Sequence, residues 1–431
     1  MAARLAPVST WADHRREMGK GSKADYGISS TELSEAVKHF EATQLKPKRM
    51  QERCLVELHL NFSKDPDLLE RYIATSGAIR MGKIFEDLDT LAGAASYMHV
   101  LGHLPIRKDR ASPLFIVTAS VDRLDLVKPL VITSDYRLTG SVIYVGSSSM
   151  EVLVAIEEIK ADSSPSEICL TGRFTMAARN AATLRSQRIA PLQLETKAEE
   201  RLFQLGQQHK MHKQQSSATS LERSSPTEEE ALLLHDVFLR DRNALTASAA
   251  KAIILGSSAK MMGSEEEVVS LSSTMHSSTL HMHPQQANVH LNVFGGVLMR
   301  HCYELGWITA SIFANAPVEF LALDALSFHS PVPIGAVLNM TSTVTYTSQG
   351  EEKENAVAAV NVVAEIVDIE SGKRKKSNTF HFSFSVGQTK RRVSPLTYAD
   401  AIEWLESRRR VQIGDQLREE FKASAISPTV T

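Results

Sequence analysis

The chain has 431 residues, 43% of them hydrophobic and 23% charged, the balance of an ordinary globular protein with material for two substantial cores. A formal net charge of −2 argues against a nucleic-acid-binding surface over the whole molecule, and no apolar run is long enough to span a bilayer. Cys54, Cys169 and Cys302 are too few and too scattered for a disulfide framework or a cysteine-based zinc site, and they suit a reducing compartment.

Residues 1–48 are polar with scattered apolar positions and read as an N-terminal extension. Arg4, Arg15 and Arg16 are offset by Asp13 and Glu17, too acidic a mixture for a mitochondrial transit peptide, and the apolar core of a secretory signal is missing. Residues 49–185 form a first unit. The alternation of Val56, Leu58, Leu60 and Phe62 with polar neighbours predicts a half-buried strand. Gly82 then opens a helix whose apolar face is Ile84, Phe85, Leu88, Leu91, Ala92 and Ala95. Glu86, Asp87 and Asp89 near its start are explained in the first instance by the helix dipole. Four β-rich stretches follow, at 114–121, 130–145, 150–159 and 167–176, separated by Gly-Ser or Ser-Pro turn signals. The order predicts an α+β unit, an antiparallel sheet wrapped around one central helix.

Residues 186–264 change character. The run 207–217, rich in Gln, Lys, His and Ser, reads as an exposed linker, and 228–243 as a helix entered through Ser225-Pro226-Thr227. Residues 265–388 repeat the first order, with a strand near 279–283, a helix opened by Gly295-Gly296, and strands at 318–328, 337–347, 357–367 and 379–386. Residues 389–431 form a C-terminal helix and tail; the helix is predicted over 398–410, with Arg408, Arg409 and Arg410 complementing the dipole at its end. Gly372-Lys373-Arg374-Lys375-Lys376 reads as a solvated hairpin tip, with a grip on the phosphates of an anionic ligand as the functional counterpart. His276, His281 and His283 include a same-face pair able to face a metal, but no third ligand is apparent, and no metal is expected.

The tandem arrangement concentrates the chemistry. Superposing Gly82 on Gly296 places Asp89 of the first copy on Tyr303 of the second, and Asn288 of the second on Ala74 of the first. Each copy has kept one half of a polar pair. If the units pack about a pseudo-twofold axis, one interface site holds Asn288 and Asp89, while a degenerate one holds Ala74, Tyr303 and nearby Glu304.

At these residues the sequence resembles a known family. Asn288–Met299, with 80–89, 112–119, 149–152 and 294–307, is similar to the acyl-coenzyme A thioesterase 9 family, mitochondrial tandem double hot-dog enzymes. The resemblance spans roughly residues 10–390 and includes Trp11-Ala12-Asp13-His14. It implies a tandem double hot-dog hydrolase that cleaves acyl-coenzyme A to free fatty acid and coenzyme A, with no cofactor. In that reading Asp89 is general base or nucleophile, Asn288 orients water or thioester, and the N–H of Gly295 or Gly296 holds the oxyanion. His290 and Phe294 are the expected substrate contacts. The same resemblance implies homo-oligomers, trimers among them, and a mitochondrial matrix location, with the cytoplasm as alternative because no clear transit peptide is present. The rival readings are an enoyl-thioester hydratase, which needs a His–acid pair, and a non-catalytic acyl-coenzyme A-binding protein.

Overall fold

The computed structural model describes residues 3–5, 30–50, 55–104, 112–160, 166–219, 221, 224–255, 267–287, 292–324, 326–348 and 356–424. The chain begins with β1 (Ala3–Leu5), α1 (Ser30–Thr43), β2 (Lys48–Arg49), β3 (Leu55–Leu60) and the short α2 (Pro66–Tyr72), then enters the long α3 (Met81–Leu101). The six apolar positions marked on α3 are all buried, but so are Glu86, Asp87 and Asp89. The dipole explanation of these acids is therefore wrong: none lies in the first turn, and all face protein. Asp87 accepts from the Tyr72 hydroxyl at 2.6 Å, and Glu86 pairs with Lys83 at 2.7 Å and Arg300 at 2.6 Å. A helix buried all round needs a second layer on what would otherwise be its polar face.

Strands β4 (Leu114–Leu126), β5 (Asp135–Val145), β6 (Ser149–Ile159) and β7 (Glu167–Asn180) complete the sheet around α3. The strand expected from residue 130 starts at Asp135 because Val131 is held in a turn, donating its N–H to the Tyr136 hydroxyl at 2.7 Å.

After β8 (Leu192–Gln193) comes a second departure from expectation. Residues read as an exposed linker belong to α4 (Lys197–Thr219). Thr196 and Glu199 cap its start reciprocally: Thr196 N–H donates to Glu199 at 3.1 Å, and Glu199 N–H donates to Thr196 Oγ1 at 3.2 Å. The helix lies close to the sheet at Gly206, where a Cβ would stand 2.6 Å from Tyr144 Cβ, and Phe203 packs on the Tyr144 ring at 5.0 Å. Thr227 and Glu230 cap α5 (Glu228–Leu255) in the same way.

The second half runs β9 (Glu267–Ser270), β10 (His276–His281), α6 (Gly295–Ala314), β11 (Glu319–Leu323), β12 (Leu326–Ser327), β13 (Val337–Thr347), β14 (Val357–Val367), β15 (Arg374–Ser385) and β16 (Arg391–Ser394). The sheet β10-β13-β14-β15-β11 wraps α6 as the first sheet wraps α3. Phe380, Phe382 and Phe384 alternate inward along β15, as their spacing predicts. The last helix, α7, covers Tyr398–Ser424 and does not end at the arginines. Arg409 instead holds Glu230 of α5 through two hydrogen bonds of 2.6 Å, and Arg410 holds Glu406 at 3.0 Å. Arg409 thus ties α7 to α5, and Arg410 pairs within α7.

The two sheets join edge to edge. β4 pairs with β11 (Leu124 opposite Leu323) and with β12 (Val121 opposite Leu326), giving a twelve-stranded sheet. A largely buried ion cluster sits at this seam. Arg123 donates to both oxygens of Asp125, at 2.9 and 2.8 Å, and to Asp324 of the other half; Arg418 of α7 reaches Asp125 at 3.4 Å. Removing the central cation would leave buried carboxylates uncompensated, a loss of about 3–5 kcal/mol. Arg123→Ala should lower the thermal midpoint markedly, and Arg123→Ala/Asp324→Ala should recover part of the loss; a double variant no more stable than the single would show that the pair is not coupled.

Candidate active site

The two central helices run antiparallel and meet where α6 has no room for a side chain. A Cβ on Gly296 would stand 2.7 Å from Glu86 Cα and 3.2 Å from Asp89 Cβ. A Cβ on Gly295 would stand 2.9 Å from Asp89 Oδ2 and 3.3 Å from Phe328 Cζ. The glycine pair therefore lets the first turn of α6 rest on the third turn of α3. At the far end of the contact Phe85 packs edge-on against Tyr303, ring centroids 5.3 Å apart.

Asp89 is fully buried, and its carboxylate is held on both sides. Thr118 of β4 donates its hydroxyl to Oδ1 at 2.6 Å, and the Gly296 N–H donates to Oδ2 at 2.6 Å across 207 residues of chain. Burial raises the carboxyl from 3.8 to about 6, with the Thr118 and Gly296 hydrogen bonds pulling the other way. The result is a carboxylate mostly ionised at pH 7 yet close enough to neutrality to accept a proton, the range suited to a general base. Thr118 lies in the 112–119 stretch that carries the resemblance, but the sequence alone gives it no role. Its signal is weak, since an inward Thr on a β-strand is common and only the fold brings it to Asp89.

Other predicted site residues are placed as follows. Gly296 spends its N–H on Asp89, whereas the Gly295 N–H, first of the helix, finds no acceptor among the described residues. Phe294 precedes α6 as its N-cap, donates its N–H to Gln286 O at 2.9 Å and lays its ring over Gly296, Cε1 lying 3.0 Å from the Cβ position. Asn288 and His290 lie outside the described residues. A bridge joins Ala287 to Val293, and a matching bridge between Ile73 and Ile79 closes the turn that holds Ala74. These bridges share the chain offset that relates Gly82 to Gly296. Ala74 donates to Ala78 O at 2.8 Å and accepts from Gly77 at 2.9 Å, an ordinary turn.

Tyr303 is buried among Phe85, Phe320, Phe382 and Phe384, and burial pushes its phenol up. Glu304 pairs with Arg80 at 3.0 Å, both side chains 41% exposed. The position equivalent to the held carboxylate is thus an aromatic plug, with its neighbouring acid engaged at the surface.

Among the described residues the carboxylate of Asp89 is partnered by Thr118 and Gly296 and by no histidine; His290, the histidine on which the hydratase reading turns, lies outside them. His281 and His283 pack their rings together at 4.7 Å, and His276 bonds Thr274 O at 3.0 Å. Asp122, Glu151 and His209 bring potential ligand atoms within 4.8 Å of one another where α4 crosses the sheet; the Arg173 guanidinium lies 3.7 Å from Glu151 and supplies positive charge to that cluster. Of the basic run, Gly372 turns at φ 67°, while Arg374, Lys375 and Lys376 enter β15 opposite β14, Arg374 pairing with Glu365 at 3.4 Å.

The raised Asp89 carboxyl also has a stability consequence. In the unfolded chain it ionises near 3.8 and in the fold near 6, so its contribution to stability is complete below about pH 4 and is lost as pH rises to about 6. Above that range the buried charge costs about 3 kcal/mol, taking about 1.4 kcal/mol per pH unit. An asparagine can accept from Gly296 and donate to Thr118 without the charge. Asp89→Asn should therefore raise the thermal midpoint at pH 7–8 and leave it unchanged near pH 3.5; a fall at neutral pH would show that the carboxylate stabilises the fold.

No protein-family model matches the chain. Among curated relatives, mitochondrial acyl-coenzyme A thioesterase 9 of Bos taurus is 33% identical over 365 residues, covering 84% of this chain and 78% of its own. The Homo sapiens counterpart is 32% identical over 368 residues, 85% and 78%. A chloroplastic acyl-coenzyme A thioesterase 2 from Humulus lupulus is 30% identical over 361 residues, 80% and 77%. Among solved structures, a Staphylococcus aureus acyl-CoA hydrolase with butyryl coenzyme A aligns over 37% of this chain and 96% of its own, at 24% identity and a TM-score of 0.33. The identity with the bovine and human proteins, carried through both helix–sheet units, makes this chain a member of the acyl-coenzyme A thioesterase 9 family of tandem hot-dog thioester hydrolases.

Proposed function

We propose that this chain hydrolyses acyl-coenzyme A to free fatty acid and coenzyme A at one composite site, where Asp89 of the first half meets the Gly295-Gly296 helix start of the second. The observation that carries the site is the hydrogen bond from Gly296 N–H to Asp89 Oδ2, joining a buried carboxylate to a helix N-terminus. Asp89 takes a proton from water as the water oxygen attacks the thioester carbonyl carbon. The Gly296 N–H and the Thr118 hydroxyl orient the base. The Gly295 N–H receives the developing oxyanion, a role in which one lost donor typically costs about 10²–10³ in rate. Collapse of the tetrahedral intermediate breaks the C–S bond; the thiolate leaves and is protonated as coenzyme A, and the acyl group leaves as the acid.

Asn288 orients water or thioester, and His290 and Phe294 flank the substrate. The equivalent position at Tyr303, with Ala74 and Glu304, is non-hydrolytic because it lacks a buried carboxylate. The bovine and human relatives are mitochondrial, which supports the mitochondrial matrix for this chain. Ile308 and Ile312, exposed along α6, support homo-oligomer formation.

Release of coenzyme A thiol from a series of saturated acyl-coenzyme A substrates tests the site. Asp89→Ala and Asn288→Ala should each lose at least about 10²-fold in kcat, with Glu304→Ala near wild type. Unchanged turnover in Asp89→Ala would discard the site, and a comparable loss in Glu304→Ala would mean two working sites. The role of Asp89 is separable by a single turnover in H₂¹⁸O. A base leaves the label in the product acid alone, whereas label in the Asp89 carboxylate would make it a nucleophile.

A further inference from the structure

Phe328 of the second half lies near the Asp89 carboxylate of the first. It directly follows β12, and its N–H donates to Ala119 O at 2.9 Å, next to the Thr118 that holds Asp89. The pairing of β12 with β4 thus registers the ring against the strand segment that orients the base. Phe328 Cζ and Asp89 Oδ2 both lie within 3.3 Å of the point where a Cβ on Gly295 would stand. The ring is half-buried and backed edge-on by Phe380 at 6.4 Å, which in turn stacks on Phe382 at 6.2 Å. Its position is held by packing as well as by backbone.

A thioester whose oxygen reaches the Gly295 N–H, with its acyl side turned toward β12, places the next carbon of its acyl chain beside this ring tip. The geometry points to Phe328 as a specificity-determining residue that sizes the space beside the carbon adjacent to the reacting carbonyl. Straight chains pass its edge; a methyl branch at that carbon meets it. The same ring keeps bulk water from the Asp89 carboxylate, which is fully buried. This inference rests on the thioesterase site proposed above. It adds the substrate feature that the site measures.

The test compares kcat/KM for butyryl-coenzyme A and 2-methylbutyryl-coenzyme A in wild type, Phe328→Ala, Phe328→Leu and Asp89→Asn. Phe328→Ala should raise the branched-to-straight ratio by about 10-fold or more, the scale of one methyl group in a fitted pocket, with Phe328→Leu intermediate. The acid limb of its pH–rate profile should also move below about 6 as water reaches Asp89. Should Phe328→Ala fold poorly, the ratio and acid limb of Phe328→Leu decide. A structural defect would depress both substrates equally and leave ratio and acid limb in place. That result, with Asp89→Asn inactive, overturns the inference; turnover persisting in Asp89→Asn overturns the underlying site instead.

Discussion

The hydrogen bond between the Gly296 amide and the Asp89 carboxylate depends on two helices approaching more closely than side chains normally permit. Glycine at 295 and 296 removes the obstruction, and the helix N-terminus supplies donors with no acceptor within their own helix. The carboxylate that meets them is desolvated by the surrounding layers, which raises its proton affinity, while the two donors keep that rise moderate. Close packing and the raised proton affinity of Asp89 are here one constraint. Neither half could supply it alone, because the acid and the amide come from opposite repeats.

Duplication explains how such a site coexists with a stable fold. A pseudo-twofold arrangement offers two equivalent places for a buried carboxylate, and each ionised one is destabilising near neutral pH. At the equivalent place Tyr303 packs with Phe85, Phe320, Phe382 and Phe384, so aromatic contact replaces a buried charge. Such ring pairs contribute about 0.5–1.5 kcal/mol each beyond area burial. The chain carries a buried carboxylate on one side and an aromatic plug on the other.

The seam between the sheets has a related function. β12 crosses onto β4 beside the Thr118–Asp89 contact, and the Arg123 cluster pins the adjoining β11. The Asp89 carboxylate is therefore held by a strand and a helix, which favours a fixed geometry around it. The peripheral helices secure this frame through local capping and ion pairs, as Thr196 with Glu199 and Arg409 with Glu230 illustrate.

Local periodicity determined the repeated helix–sheet order, because alternation and 3.6-residue spacing are properties of contiguous residues. The two strands at 337–347 and 357–367 are bounded as their residues alone predict. Comparing the repeats also singled out Asp89, Tyr303 and the glycine pair. Capping signals before α4 were equally readable in Thr196-Lys197-Ala198-Glu199, yet the polar run beyond them outweighed that signal. Sequence could not decide why Asp89 is acidic where it is. A helix dipole and a buried base call for the same residue, and the difference lies in what packs opposite. Tertiary structure alone placed Thr118 and Phe328 at that carboxylate and assigned the Gly296 amide to it, because those contacts form between residues far apart in the chain and depend on how the sheets join.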